Sequence, residues 1–434
     1  MSVVNISKIE HFKFILTSSK INHLKMKTTL TLFTLIFSAL LFGQQWTDVA
    51  SVPGSSSSKH HPVTFSIDGI GYSVAGSNSF EVSTSTSHKY DPILDQWTTM
   101  SDFPGTSRGF SYGVSDGEFG YMGFGYNTQV GTYLDDLWKF DPVSETWTEL
   151  ASCPCQARTH PAFVHLDGKI FVGVGGSSSG NRDDWWQYDI ALNTWSAKPD
   201  FPGVPRHHPY YFDLDGYAYV GFGHGNGIFK DFYKYDPDSE IWEEMNDFPG
   251  ESRVAGTQFS HDGYGYILSG DGDDHDYLET GEFWQYNPAD DSWSQLPSHP
   301  GLSRWAPGSF IIDGKVYLVQ GQERFLTFPG AALTDGMIVF DLDLYNSPFS
   351  INENSADLTV SVFPNPFTDQ LNIELNGNFI PTETTITVLD LLGKKLREIK
   401  LTDHAINLAD LAAGTYTLLI KSNEFSQSIK LVKD

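Results

Sequence analysis

The sequence predicts an all-β protein, a six-bladed β-propeller followed by a small C-terminal β-sandwich. The first observation is a period of about fifty residues, in which a lone tryptophan and an Asp-Gly pair recur in step. The second is composition, because 40 glycines and 14% aromatic residues favour short strands and tight turns. The third is the loss of this period after residue 345. The markers are Trp46, Trp97, Trp147, Trp195, Trp242 and Trp293, and Asp68, Asp116, Asp167, Asp215, Asp262 and Asp313.

Each unit contains four predicted strands, as the unit that begins at Arg206 illustrates. The first lies in RHHPYYFDL, and the Asp-Gly pair then turns a hairpin, since glycine adopts the positive φ that such turns need. The second, third and fourth strands are YAYVGFG, FYKYDP and IWEEM. One such sheet alone exposes two faces and two edges, whereas six sheets packed radially bury the faces. Each unit is therefore expected to form one propeller blade.

The two ends of the repeat predict how the propeller closes. The last unit has the Asp313-Gly314 turn and the strands KVYLVQG and MIVFDLD, but it lacks a tryptophan strand after them. The segment QQWTDVASVPG, which begins at Gln44, contains such a strand with no blade before it. We therefore expect the N-terminal strand to complete the sixth blade, and residues 44–345 to form the propeller.

Several short motifs occur at the same place in each unit. They are the Asp-Gly hairpin, a run of small residues after the second strand, a Tyr-Asp-Pro turn and the tryptophan beyond it. Together they resemble kelch repeats over roughly residues 44–345. The double glycine of those repeats occurs only as Gly175-Gly176, and the other units have VAGS, GFGY, GFGH, LSGD and VQGQ. The recurring Trp, Tyr and Asp-Pro are expected to serve blade packing and turns.

The C-terminal residues form a separate predicted domain. Residues 346–358 lose the period and are expected to form a linker, and residues 359–434 contain short alternating segments typical of a small β-sandwich. FPNPF from Phe363, LGK, GTY and the basic end resemble the C-terminal sorting domain of the type IX secretion system. The resemblance implies transport across a Gram-negative outer membrane, with that export machinery as a partner. An adhesive sandwich is the alternative.

The N-terminal residues predict export as well. The segment from Met26 to Gln45 has a lysine near its start, an apolar stretch and the small residue Gly43, which is the layout of a secretory signal peptide. We expect residues 1–43 to comprise an extension and this signal peptide, with translation starting at Met26. A buried N-terminal helix is the alternative. The apolar stretch is short for a membrane span, so we expect no transmembrane segment in the mature chain and a secreted or cell-surface location.

Net charge and cysteine content restrict the function classes. The formal net charge is −27, from 27 basic and 54 acidic residues, and nucleic-acid binding needs a basic surface instead. The two cysteines, Cys153 and Cys155, lie in one loop. We interpret them as a loop feature, reduced or oxidised, rather than a redox centre or a metal site. Copper-radical chemistry, which needs a Tyr–Cys crosslink, is not expected, and no cofactor is predicted.

A basic residue precedes the innermost strand of every unit. Sixfold repetition would place these cations around one mouth of the central channel, where guanidinium groups could bind a carboxylate or an acidic peptide. Trp305 adds an aromatic surface beside them. The alternative is structural, with each side chain pairing with an Asp or a carbonyl of a neighbouring blade. The residues are Lys59, Arg108, Arg158, Arg206, Arg253 and Arg304.

Two residues after the basic position, three units have a histidine: His61, His160 and His208. Histidines at one height can coordinate a metal or transfer protons. Their blades are not all adjacent, so we interpret them as packing or surface residues.

The fifth unit contains an acidic loop, SGDGDDHDYLET. Its aspartates, Asp271, Asp273, Asp274 and Asp276, form a weak Ca²⁺ candidate, with a solvated loop as the favoured interpretation.

The sequence thus predicts a secreted or cell-surface propeller that binds a carbohydrate or a protein. The alternative is a cofactor-free sugar epimerase resembling the sialic acid mutarotases. No nucleophile elbow, phosphate-binding loop or metalloprotease motif is present.

Overall fold

The computed structural model describes most of the chain from Trp46 onward. The described residues are 46–54, 57–78, 81–324, 331–346, 359–376, 385–389, 395–400, 405–421 and 426–433. The predicted signal peptide within 1–43 and nearly all of the predicted linker lie outside them. Among the described residues, no helix is both long and apolar enough to cross a membrane.

The main architecture is a set of six four-stranded antiparallel sheets, which are the propeller blades. The innermost strands contact one another in a closed cycle from blade 1 to blade 6 and back. Each innermost strand carries buried side chains that pack toward its own blade and the next, so the core is divided into clusters between blades. A closed cycle leaves no sheet face uncovered and explains why the chain can bury so many aromatic residues.

The first three blades follow the chain without crossovers. Blade 1 comprises Val63–Ile67, Ile70–Val74, Ser87–Asp91 and Gln96–Thr99; blade 2 comprises Tyr112–Ser115, Gly120–Gly123, Leu137–Asp141 and Thr146–Glu149; blade 3 comprises Ala162–Leu166, Lys169–Gly173, Trp185–Asp189 and Thr194–Lys198.

The last three blades repeat this order, except that blade 6 takes its outer strand from the N-terminal side. Blade 4 comprises Tyr210–Leu214, Tyr217–Gly221, Phe232–Asp236 and Ile241–Glu244; blade 5 comprises Thr257–His261, Tyr264–Leu268, Gly281–Asn287 and Ser292–His299; blade 6 comprises Gly308–Ile312, Lys315–Val319, Met337–Asp341 and Trp46–Val49.

Short elements lie on the side where the chain approaches each innermost strand. They are the strands Tyr126–Asn127 with Thr132–Tyr133, Arg158–Thr159 with Gly176–Ser177 and Gly180–Asn181, and Arg304–Trp305 with Gln322–Arg324 and Ala331–Leu333, together with the 3₁₀ turn Asp273–His275. The helix Leu342–Asn346 lies at the other end of blade 6, where the Leu342 N–H donates to the carbonyl of the hairpin residue Gly314 at 2.9 Å.

Closure of the propeller follows the pairing that the sequence predicts. Trp46–Val49 pairs antiparallel with Met337–Asp341, and Trp46 lies opposite Phe340. The Trp46 side chain is buried against Phe283 and Phe340, and its indole N–H donates to the Pro297 carbonyl at 3.0 Å. Because residues far apart in the chain complete one sheet, the ring is fastened without a covalent bond.

One glycine per blade carries a hydrogen bond to the next blade. This glycine follows the second strand, has a φ between 84° and 99°, and donates its N–H to the carbonyl of the next blade's basic residue at 2.7–3.0 Å. A side chain there would strike backbone carbonyls, as at Gly125, where a Cβ would lie 2.6 Å from the Gly109 oxygen. The six donors are Gly76, Gly125, Gly175, Gly223, Gly270 and Gly321.

The C-terminal residues form two further antiparallel sheets that share a core. One sheet contains Thr359–Phe363, Gln370–Asn376 and Ala405–Asn407, and the other contains Lys395–Lys400, Thr385–Leu389, Gly414–Lys421 and Ser426–Lys433. Side chains from both sheets, including Ile373, Val388 and Leu418, belong to one buried cluster. Two packed sheets around one core are a β-sandwich.

We expect Trp46→Ala to lower the free energy of unfolding of the propeller by about 3–5 kcal/mol, because it removes a large buried side chain at the closing strand. Thermal or urea unfolding measures the change. Thr47→Ala, on the exposed side of the same strand, is the control and should stay within about 0.5 kcal/mol. An unchanged melting temperature for Trp46→Ala would contradict the closing role.

Candidate functional site

The six basic residues before the innermost strands are buried. Lys59, Arg108, Arg158, Arg206 and Arg253 are 0% exposed and Arg304 is 7% exposed. The expectation of an exposed cationic mouth is therefore wrong. The side chains run back into their blades, where acidic groups and carbonyls bind them.

Arg158 shows the arrangement. Its two terminal nitrogens donate to the two oxygens of Asp184 at 2.7 and 2.8 Å, and Nη1 also donates to the Val174 carbonyl at 2.9 Å. Its Nε donates to the Gln156 carbonyl at 2.9 Å. Such a bidentate pair satisfies a buried guanidinium and leaves little capacity for a ligand.

The acidic partners lie at the start of the third strand of the same blade, directly before it in blades 2–4 and at its second residue in blade 5. The structural alternative was that each basic side chain pairs with an Asp or a carbonyl of a neighbouring blade. This is wrong for the arginine side chains, which bind within their own blade. The backbone carbonyls of the basic residues, however, do accept hydrogen bonds from the preceding blade. The sequence does contain a signal for this pairing. Blades 2–5 each have an arginine before the innermost strand and an acidic residue at the start of the third strand. The acids are Asp136, Asp184, Asp231 and Glu282.

The Phe-Pro-Gly motif supports the same arginines. The rings of Phe103, Phe201 and Phe248 lie 4.5–4.8 Å from the guanidinium carbons of Arg108, Arg206 and Arg253. Cation–π contact and burial therefore explain why the motif recurs five residues before an arginine.

The two cysteines occupy the Phe and Gly positions of this motif in blade 3. Cys153 and Cys155 form a disulfide, and both side chains are buried. The motif glycine elsewhere lies under the phenylalanine ring, as at Gly105, where a Cβ would meet Phe103. In blade 3 the smaller Cys153 replaces the phenylalanine, so Cys155 can occupy the position that is glycine in the other blades.

Blades 1 and 6 depart from the arginine–acid pattern. Thr86 stands at the acid position of blade 1, and Lys59 lies 3.5 Å from its carbonyl and hydroxyl oxygens. Burial lowers the Lys59 pKa to about 7, against an opposing effect of Asp102. In blade 6 the Arg304 side chain instead contacts Glu323 at 2.8 Å.

The histidines two residues later lie together at the propeller axis. All six residues at this repeat position have φ between 49° and 59°, and several are joined by backbone hydrogen bonds, such as His208 N–H to the His160 carbonyl at 3.2 Å. We call these six residues the axial ring: His61, Phe110, His160, His208, Ala255 and Ala306. The expectation that non-adjacent blades keep the histidines apart is wrong, because the axial ring is narrow.

The three histidines of the axial ring, the histidine cluster, are in direct contact. His61 Nε2 and His208 Nε2 are 2.5 Å apart, and one ring nitrogen from each of the three residues lies within 4.8 Å of the others. Burial, followed by repulsion between neighbouring imidazoles, lowers the pKa of all three well below the usual histidine value. The cluster is therefore neutral at neutral pH.

Trp305 lies against this cluster rather than beside the arginine heads. Its ring centroid is 4.9 Å from those of both His60 and His61. Two residues that no repeat pattern marks, His60 and Glu81, extend the cluster outward. The Nδ1 atoms of His60 and His61 are 2.5 Å apart, and His60 Nε2 lies 3.3 Å from the Glu81 carboxylate.

The aspartates of the blade 5 loop do not converge. Asp271 is buried, whereas Asp273 accepts a hydrogen bond from Ser252. In the described part of the chain, three or more potential ligand side chains meet only at the histidine cluster. The geometry thus gives no support for the Ca²⁺ candidate comprising Asp271, Asp273, Asp274 and Asp276.

A cavity of about 380 Å³ lies along the axis and is lined by the innermost strands of all six blades. Tyr112, Tyr211, Gln258, His165 and Asp213 are among its lining residues. No sequence motif marks them, because they are the alternate inward positions of ordinary strands. The cavity has the size and mixed polarity of a small-molecule site.

Comparisons with known proteins agree with this architecture. Residues 120–154 match the model of the kelch motif, and residues 361–434 match that of the secretion system C-terminal sorting domain. A segment of 160 residues is 28% identical to beta-scruin of Limulus polyphemus, and the match covers 36% of this chain and 16% of that protein.

The chain therefore contains a β-propeller with a kelch motif. It carries a C-terminal sorting domain of the type IX secretion system, which directs it to the cell surface or the medium and implies contact with that machinery.

We expect Arg158→Ala to cost about 3–5 kcal/mol of stability, because it leaves the carboxylate of Asp184 partly buried without its main partner. Chemical denaturation measures the loss. Arg182→Ala is a matched control, since the partly exposed Arg182 approaches the same carboxylate at 3.7 Å without a bidentate contact, and it should cost less than about 1 kcal/mol. Equal effects of the two substitutions would contradict the structural role of Arg158.

We expect Lys59→Met to raise the melting temperature most at pH 6, with an advantage that shrinks as the pH rises toward 10. The lowered pKa of Lys59 means that the unfolded chain binds the proton more tightly, so wild-type stability rises with pH between about 7 and the pKa of a free lysine. Melting temperatures from pH 6 to 10 measure the trend. Lys89→Met, at a half-exposed ion pair, is the control. A pH-independent difference for Lys59→Met would contradict this account.

Proposed function

We propose that the protein is an exported binding module that takes a carbohydrate, of neutral or cationic kind, into the axial cavity. The observation that carries the proposal is the cavity lining, in which aromatic rings and hydrogen-bonding side chains from different blades converge. A cavity of about 380 Å³ suits a sugar unit and excludes a folded protein.

Two tyrosines contribute both aromatic surface and hydroxyl groups to the lining. Tyr112 and Tyr211 make an edge-to-face contact with centroids 5.8 Å apart. Burial raises the pKa of both phenols, so both remain protonated and able to donate at neutral pH. Tyrosine combines an apolar face with a polar end, which suits the alternating C–H and O–H groups of a sugar.

The polar part of the lining lies nearer the Asp-Gly hairpins. Asp213 accepts a hydrogen bond from Ser260 at 3.1 Å, and burial raises the pKa of its carboxyl group. His165 Nε2 accepts from the Gly168 N–H at 3.3 Å, which places the imidazole proton on Nδ1. The lining therefore offers both donors and acceptors, as sugar hydroxyl groups require.

Charge selects the kind of sugar. None of the described residues that line the cavity is lysine or arginine, and Asp213 is acidic. The whole chain has a net charge of −27. Neutral sugars and amino sugars are therefore favoured over acidic ones, in contrast to the anionic ligand that the basic residues suggested.

A second candidate is a cofactor-free sugar epimerase or mutarotase. The observation that favours it is the presence of two titratable groups, His165 and Asp213, in one cavity. Burial lowers the pKa of His165, and the charges of Asp116 and Asp213 oppose this effect. An acid and a base on opposite sides of a sugar are what anomer interconversion requires.

We expect a glycan array to identify a neutral or amino sugar, and Asp213→Asn to weaken its binding by about tenfold or more in calorimetry. Asp215→Asn is the matched control, because it removes the same charge from the exposed hairpin turn two residues away and should leave the affinity unchanged. Proton NMR of sugar anomers with and without protein tests the epimerase candidate.

Absence of binding to any neutral or amino sugar would overturn the proposal, as would equal effects of the two substitutions. Binding of a protein with no effect of Asp213→Asn would transfer the function to the outer surface of the propeller.

A further inference from the structure

We propose that His61, His160 and His208 form a binding site for one late first-row divalent transition-metal ion, of the Zn²⁺ kind, on the propeller axis. The proposal is independent of the sugar cavity, whose lining does not include these three residues.

The first argument is convergence. Three imidazoles from blades 1, 3 and 4 each direct a ring nitrogen into a space where the three atoms lie within 4.8 Å of one another. Zinc bound by histidine has Zn–N distances of about 2.0–2.1 Å, so the His61 and His208 rings must turn apart for the three nitrogens to surround one ion. Imidazole nitrogen suits Zn²⁺, Cu²⁺ and Ni²⁺ better than Ca²⁺ or Mg²⁺.

The second argument is unsatisfied hydrogen-bonding capacity. Both ring nitrogens of His160 are inaccessible to solvent and have no hydrogen-bond partner. His208 approaches His61 so closely, with the two Nε2 atoms 2.5 Å apart, that only one of these two nitrogens can carry a proton. Buried polar atoms without partners are costly, and a cation that accepts their lone pairs removes that cost.

The third argument is that a hydrogen-bonding partner is available for the second ring nitrogen of His61, as is usual for metal-bound histidines. If His61 binds through Nε2, its proton lies on Nδ1, which contacts His60 Nδ1 at 2.5 Å. His60 Nε2 in turn lies 3.3 Å from the Glu81 carboxylate. A chain from ligand histidine to carboxylate fixes the tautomer and orientation of the ligand.

The other positions of the axial ring contribute no competing polar side chain. Ala255 and Ala306 occupy the remaining blade 5 and blade 6 positions of the axial ring, and Phe110 and Trp305 form aromatic walls beside His61. Three protein ligands with an open position resemble zinc sites that bind water or a small ligand. The sequence contains a pattern that marks the three histidines: a basic residue, any residue and then His-Pro occur in this order three times.

The test uses the tag-free mature protein, stripped with a chelator and titrated with Zn²⁺. We expect uptake of one ion per chain, a higher melting temperature with Zn²⁺, and an affinity at least about 100-fold weaker in His160→Ala. His261→Ala is the control, because His261 lies outside the cluster against Asp343 and should leave uptake unchanged.

A second measurement keeps the test independent of variant folding. Titration of the wild-type protein with Co²⁺ should produce the visible absorption of a low-coordinate nitrogen site, and Zn²⁺ should abolish it. Failure of the wild-type chain to bind Zn²⁺ or Co²⁺ at micromolar concentration would overturn the proposal, as would unchanged affinity in His160→Ala.

Discussion

The propeller depends on one repeated hydrogen bond, from the glycine after each second strand to the carbonyl of the next blade's basic residue. It occurs at every blade junction, including the closing one, where Gly321 donates to Lys59 at 2.9 Å. The bond requires a backbone with positive φ and no side chain. It holds the start of each innermost strand against the preceding blade, so the residues that follow it are brought to the axis.

The buried basic side chains extend this connection into the blades. The backbone of each basic residue contacts the preceding blade, while in blades 2–5 the arginine side chain binds an acid of its own blade. A charge held by a bidentate carboxylate and carbonyl oxygens contributes to structure rather than to ligand attraction. In an acidic chain this use of arginine leaves an axial cavity without strong cations, which changes the kind of ligand that the cavity suits.

Two chemically different features follow on the same axis. The histidine cluster offers nitrogen ligands at the side where the innermost strands begin, and the cavity offers hydroxyl, amide and carboxyl groups along those strands. The sorting domain has its own buried core, separate from the propeller clusters. The buried side chains that hold the sorting domain together are therefore different from those that line the axis of the propeller.

The sequence by itself determined the repeat, the strand order, the closing strand and the sorting domain. These features depend on local patterns, since turn glycines, alternating apolar residues and a repeated tryptophan act within one blade or one strand pair. The addition of the N-terminal strand to the sixth blade followed from counting strands, whereas the register that places Trp46 opposite Phe340 is seen only in the structure. The tertiary structure decided what the candidate residues do.

A basic residue before a strand gives no indication of whether it faces solvent or an acid more than twenty residues later in the chain. Arg158 and Asp184 illustrate this, because their pairing depends on how the third strand returns beside the first. The histidines were visible in the sequence, but their contact was not. Distances across a ring depend on its radius, and that radius is set by packing between all the blades rather than by any one segment.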